Sequence, residues 1–355
     1  MTADITLRGP DEVIAVLPYQ LGYHPRDSVV AVALRGRTMG MVARADLPPE
    51  EHAAEVATSL VGPLVRDGAT SVVVVAWEEV PDTSTALTLA LVEQLEGAGV
   101  DVVDVAVVRD GRRFSPICAE RCCPADGEPL RDPTTVPAVA ELVALGRAPL
   151  GSRDDVDRLV DPGPRSEVLG RVIERRAHRS PGRRRWARAW AEVLADDPSV
   201  PVRDVALADA VLALADIHWR DGLLAWFSPG VLALRQVDDE VVRHLRATVP
   251  QGPSPAEEEP AVRTDGPSLP LRLVALCRAV PDRCTAEAVA ICTVAAHVAW
   301  AEGDGAIARA ALDRARRIDP EYRLAGLLGR LVDAGVRLPR GPGRPHGDAR
   351  LRSVG

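Results

Sequence analysis

Hydrophobic positions along the first 120 or so residues change period several times. Val13, Ile14 and Leu17 fall on one face of a helix that Gly9-Pro10 can start and Gly22 can stop. "SVVAVAL" (28–34) and "TMGMVARADL" (38–47) are apolar runs of strand length joined by Arg35-Gly36-Arg37, which predicts an antiparallel pair. A helical stretch over 48–68, a strand at 71–77, a helix over 82–97 and a strand at 101–108 follow. Strands alternating with helices predict parallel crossover units, and "RDGR" (109–112) predicts a turn into a short strand near Phe114. The expected N-terminal fold is an α/β domain with a mixed sheet and crossover helices.

Beyond residue 130 the period is helical. Ser166 is placed to cap a helix with the stripe Val168, Leu169, Val172, Ile173 and Ala177, and Ser180-Pro181 to start one carrying Trp186, Trp190, Val193 and Leu194. In 284–335, Ala296, Ala308, Leu312, Ala315 and Pro320 fall at the spacings of one tetratricopeptide repeat, which a plain helical hairpin would also give. One repeat makes no solenoid, so these helices are expected to pack on the helical domain or on a partner. The expected organisation is an α/β domain over 1–130, an all-α domain over 131–249 and a flexible acidic Pro/Gly-rich linker over 250–270. Tetratricopeptide-like helices over 271–338, packing with the helical domain, and a disordered tail over 339–355 complete it.

Composition narrows the chemistry. All 43 basic residues are arginine, and lysine is absent. A P-loop NTPase, a pyridoxal enzyme and a protein kinase each need a lysine, so their standard forms are excluded. Neither a His-Glu-x-x-His nor a Gly-x-Ser-x-Gly motif occurs, which favours a protein that is not an enzyme. No basic-then-apolar leader and no long apolar run occur, so a cytoplasmic protein without a membrane partner is expected, its six cysteines reduced. Net charge −8 argues against nucleic acid as a general partner, yet residues 165–188 hold nine arginines against two acids.

Ligands of open α/β sheets sit beyond the carboxyl ends of the strands. The strands ending at Asp46, Trp77 and Val108 bring Asp46, Glu78, Glu79, Arg109 and Asp110 to one rim. The antiparallel strand from 28 adds Tyr19, His24, Arg26, Asp27 and Ser28. His24 and Asp27 are candidate catalytic groups, and Asp46, Glu78 and Asp110 are weak candidates for a divalent metal; no other cofactor is predicted. The same residues also suit a plain turn with solvated strand ends. Cys118, Cys122 and Cys123 form a second, weak metal candidate, with structural or redox-active thiols as the alternatives. In "RVIERRAHRSPGRRRWARAW" (171–190) helical spacing turns Trp186 and Trp190 toward a core and Arg184, Arg185 and Arg188 away from it. Those arginines are either a solvated face or a patch for an anionic partner, and Glu167 is spaced to pair with Arg171.

"LRGPDEVIAVLPYQLGYHPRDSVVAVALRGR", "CCPADGEPL" and "AWAEGDGAIARAALDRARRIDPEYRLAGLLGRLVDAG" together resemble an actinobacterial family catalogued only as a domain of unknown function, family number 4192. The resemblance covers nearly the whole chain and implies a bacterial cytoplasmic protein; it implies no activity. Tyr23 stands where the family usually has phenylalanine. The leading expectation is an interaction or regulatory protein, with a protein partner on the C-terminal helices and a small-ligand site on the α/β domain. The alternatives are a metal-assisted hydrolase or transferase of a phosphorylated or nucleotide-like substrate, and RNA or ribosome association through 165–188.

Overall fold

The computed structural model describes residues 6–36, 38–116, 118, 123–179, 181–195, 201–228, 231–250, 268–336 and 350–351. Among them the chain divides into two compact units. One runs to Asp155 and takes in Asp333–Val336 and residues 350–351; the other is Val156–Val332.

The first unit is an α/β sandwich. In chain order it contains β1 (Thr6–Leu7), α1 (Pro10–Leu21), β2 (Ser28–Arg35), β3 (Thr38–Asp46), α2 (Ala53–Arg66), β4 (Ser71–Trp77) and α3 (Thr85–Gly97). β5 (Asp101–Arg109), β6 (Arg112–Phe114), β7 (Glu128–Pro129) and α4 (Pro137–Ala144) follow, and α5 (Arg153–Val160) leads out of the unit. β2 pairs antiparallel with β3, as the hairpin spacing predicts, and on its other side antiparallel with β4, while β4 pairs parallel with β5 across the α3 crossover. β1 pairs with a strand from the far end of the chain, Arg350–Leu351, in the order β1, the far strand, β3, β2, β4, β5, β6, β7.

Why the central strands are almost continuously apolar follows from their two covered faces. Alternate side chains point to opposite sides of a strand. Val30, Val32, Val73 and Val75 meet α1 and α4, while Val29, Ala31, Val72 and Val74 meet α2 and α3. Residues 131–155, expected with the helical domain, belong here because Val136, Ala138, Val139 and Leu142 complete the core under α1. Gly22 ends α1 in the left-handed conformation (φ +83°), its N–H bonded to the Pro18 carbonyl, as its position predicts.

The second unit is all-helical: α6 (Ser166–Arg176), α7 (Arg183–Val193), α8 (Asp204–Leu212), α9 (Ile217–Phe227), α10 (Asp239–Thr248), α11 (Leu269–Ala279), α12 (Thr285–Glu302), α13 (Gly305–Ile318) and α14 (Arg323–Asp333). α12 is buried all round from Ala288 to Ala299, which its lack of a polar face requires; α8, α9, α11 and α13 surround it. Ala296, Ala308, Leu312 and Ala315 are fully buried. The strand at 350–351 is β8.

Several local expectations need correction. Ser166 makes no capping bond and lies buried inside α6; Val168 and Ala177 are exposed, so the buried stripe is Leu169, Gly170 and Ile173. α7 starts after Gly182 (φ +79°), and Ser180 lies outside the described residues. Glu167 pairs with Arg283 at 3.2 Å, because the packing of α6 brings a tertiary cation closer than its helical neighbour Arg171. Of the expected linker, 251–267 lie outside the described residues, while Leu269 and Pro270 already open α11 and are buried. Of the expected tail only 350–351 are described, as part of the sheet. Arg37 also lies outside.

Candidate functional site

Register places Ser28 opposite both Asp46 and Trp77, with Trp77 beside Val108, so Arg26, Asp27, Ser28, Asp46, Glu78, Glu79, Arg109 and Asp110 lie at one end of the sheet. Four of the ten candidate side chains, Asp27, Asp46, Glu78 and Arg109, are engaged in hydrogen bonds or ion pairs. Asp27 adopts a left-handed backbone (φ +36°); its carboxylate accepts from the Glu79 amide at 3.0 Å and its carbonyl from the Leu47 amide at 2.9 Å. Glu78, with only 2% of its side chain exposed, accepts from the Ser84 hydroxyl at 2.7 Å, the Ser84 amide at 3.1 Å and the Asp82 amide at 3.2 Å. Its other partner is Arg109 at 2.5 Å, whose guanidinium lies 4.5 Å from the centre of the Phe114 ring. Glu78 thus closes the turn ahead of α3, a capping task done from six residues upstream.

Asp46 is bound by Arg44 at 2.6 Å, and Arg44 also reaches the Arg26 carbonyl and lies over the Tyr23 ring. Asp110 is exposed in the tight turn with Gly111, where both have positive φ. His24 and Arg26 are exposed, the His24 amide donating to the Leu150 carbonyl. Tyr19 packs on the α1 core, and the Ser28 hydroxyl is buried with no partner among the described residues. Asp46, Glu78 and Asp110 therefore share an end of the sheet without forming a ligand set. Among the described residues no three His, Cys, Asp or Glu side chains converge as a metal-ligand group.

Cys118 and Cys123 are half-buried, and Cys122 lies outside the described residues. Cys277, Cys284 and Cys292 are buried; burial pushes the Cys277 thiol well above its ordinary range.

The arginine belt builds a more open arrangement. Trp190 is fully buried 6.0 Å from Phe227, and Trp186 meets Trp219 edge-on at 5.9 Å, so the tryptophans are core and Arg184, Arg185 and Arg188 face outward. α8 packs alongside α7, and between them lies a cleft of about 480 Å³ lined by Arg184, Arg185, Arg188, Arg203, Val205 and Asp209, among others. Asp209, with 4% of its side chain exposed, holds the Arg176 Nε on one oxygen and the Arg185 Nε on the other, both at 2.7 Å. Glu192 takes the Arg203 amide at 3.0 Å and its Nε at 2.9 Å, and the hydrogen bonds from Arg203 hold its carboxyl below the usual range. Arg184 and Arg188 have no carboxylate partner among the described residues.

A family model matches residues 10–338. The chain belongs to the family described as Domain of unknown function (DUF4192). No curated protein and no solved structure matches it. The DUF4192 match spans both units, so it includes rim and cleft alike.

In chemical terms the two places in this DUF4192 chain differ. At the rim, Asp27, Asp46 and Glu78 are engaged by arginines and backbone amides, while Glu79 and Asp110 are exposed. In the cleft, four guanidinium groups face two carboxylates: Glu192 is bonded to Arg203, and Asp209 to Arg185 and, from the inner side, to Arg176. Helical spacing points to Arg184, Arg185 and Arg188 and puts Glu192 one turn beyond Arg188 on the same helix, but Arg203 and Asp209 join them only through the packing of α8. The one trace in the sequence is Asp209 within the apolar run "DVALADAVL" (204–212), an acid that burial obliges to find a cation.

Proposed function

We propose that this protein is a binding protein rather than an enzyme, and that its helical unit takes an anionic ligand in the cleft between α7 and α8. The observation that carries this is the pair Arg184 and Arg188, which face the cleft one helical turn apart without a carboxylate partner among the described residues. Arg185 and Arg203 extend the positive surface to either side. Like charges crowded along one groove repel, and an anion relieves that repulsion. The test is thermal unfolding of the intact chain with sulfate, phosphate, citrate and heparin at low salt. Stabilisation that fades with added salt and is lost in Arg184→Glu/Arg188→Glu supports the reading; equal response of wild type and variant sinks it.

A protein partner on the C-terminal helices is supported by Leu327 and Leu331, exposed one turn apart on α14. Leu327→Asp/Leu331→Asp tests it better than truncation near Pro270, which would remove the buried α12. Co-purification of the same partners with the variant counts against it. A hydrolase or transferase at the rim has less support, because Glu78, Asp27 and Asp46 are engaged in holding the sheet end. No helix among the described residues is long and apolar enough to cross a membrane.

A further inference from the structure

Resting on that reading of the cleft, we infer that its ligand is a small molecule carrying two or more linked phosphate groups, such as pyrophosphate or a nucleoside diphosphate. Charge placement makes the first argument. Arg185 is fixed by Asp209 at one end of the cleft and Arg203 by Glu192 at the other. Positions 185 and 192 are seven residues apart on α7, about 10 Å along the helix axis. A single phosphate or carboxylate reaches one end only; a phosphate chain spans from one to the other past Arg184 and Arg188.

Preorganisation is the second argument. Asp209 holds the Nε of Arg185, and Glu192 holds both the Nε and the Nη2 of Arg203, which orients those guanidinium planes before any ligand arrives. The geometry suits the forked contacts guanidinium makes with phosphate oxygens and lowers the ordering cost of binding. Val205 and Ala206 of the first turn of α8 line the wall, and Asp204 beside them offsets the positive end of that helix.

Size and surroundings separate a small ligand from a nucleic acid strand. A cleft of about 480 Å³ is of metabolite size. Single-strand binders stack bases on exposed aromatic rings, and here Trp186 and Trp190 are turned into the core. The chain's net charge of −8 opposes a long polyanion that extends past the groove. Pro181, Ala189 and Val205 leave the remaining wall uncharged, able to take the non-phosphate part of a ligand.

Titration calorimetry of the full chain with pyrophosphate, a nucleoside diphosphate, inorganic phosphate and a short single-stranded RNA tests the inference. Pyrophosphate or the nucleoside diphosphate is expected to bind at least about tenfold more tightly than inorganic phosphate, a difference of about 1.4 kcal/mol. The two diphosphate arms show whether a nucleoside adds to recognition. Arg184→Ala/Arg188→Ala is expected to weaken binding by about tenfold or more with the unliganded melting temperature no lower than that of the wild type, and Arg188→Lys to weaken it while keeping the charge. Inorganic phosphate binding as tightly as pyrophosphate, or RNA binding more tightly than either, overturns the inference and leaves the anion cleft standing. Binding of none of the four overturns both.

Discussion

The Asp27 carboxylate accepts a hydrogen bond from the Glu79 amide at 3.0 Å while the Asp27 carbonyl accepts one from Leu47. One residue thereby ties the start of β2 to the ends of β3 and β4, and it does so with a left-handed backbone at φ +36°. Asp27→Ala removes the acceptor and keeps the strained backbone, so it is expected to lower unfolding stability by about 2 kcal/mol. Asp27→Asn and Asp27→Gly each relieve one of those faults and should lose about half as much. Urea unfolding gives the order; alanine and asparagine variants of equal stability would refute the tie.

Glu78 and Arg109 form the least exposed ion pair of the rim, and Glu78 also holds Ser84 and Asp82. Glu78→Ala leaves Arg109 and the turn before α3 without their acceptor and is expected to cost about 3 kcal/mol. Arg109→Met should cost less, since Glu78 keeps its bonds to Ser84. A double-mutant cycle in which the two losses simply add would show the pair to be uncoupled.

How far these features were legible in the sequence depends on their range. Pro10, Gly22 and the strands at 28–34 and 71–77 are local signals, and the structure keeps them. The gathering of the rim follows from strand direction alone. That Glu78 would close a turn six residues on, or that Asp27 would adopt positive φ, depends on which amides face them in the folded sheet, and no spacing encodes that. α4 reads as one more helix after 130, and only its contact with α1 assigns it to the α/β unit. In the cleft, α7 is readable from its tryptophans, whereas Arg203 and Asp209 enter through tertiary packing.

Arg314 is 1% exposed and donates to the carbonyls of Val160, Cys277 and Val280 and to Asp282. Arg314→Met leaves three buried carbonyls without this donor and is expected to destabilise the helical unit by about 3 kcal/mol or more. Arg314→Lys cannot reproduce the planar fork and should fail nearly as badly. A lysine variant with wild-type unfolding would show that charge alone suffices there.

His297 on α12 is 9% exposed, and its Nε2 has no hydrogen-bond partner among the described residues. Burial pushes its pKa down to about 4 from 6.5. Below pH 6.5 the unfolded chain takes up a proton that the folded chain refuses, so this group's contribution to stability is complete above 6.5 and declines as pH falls toward 4. The total decline is about 3 kcal/mol. His297→Leu is expected to flatten that part of the stability profile at little cost near neutrality, since the imidazole gives up no hydrogen bond. Parallel acid profiles for the two proteins would place the dependence elsewhere.

β1 lies beside β8, and Arg66 of α2 donates to the Ala334 carbonyl, so the α/β unit is made from both ends of the described chain with the helical unit spliced between. During synthesis the sheet core from 10 to 155 emerges first, then must wait while nearly 180 residues of helix are made before β8, the strand between β1 and β3, arrives. Until then β3 presents a raw edge to the cell. A ribosome paused within the helical unit would therefore display a nearly finished sheet lacking its last stave, the state in which this protein is most exposed to pairing with the wrong chain.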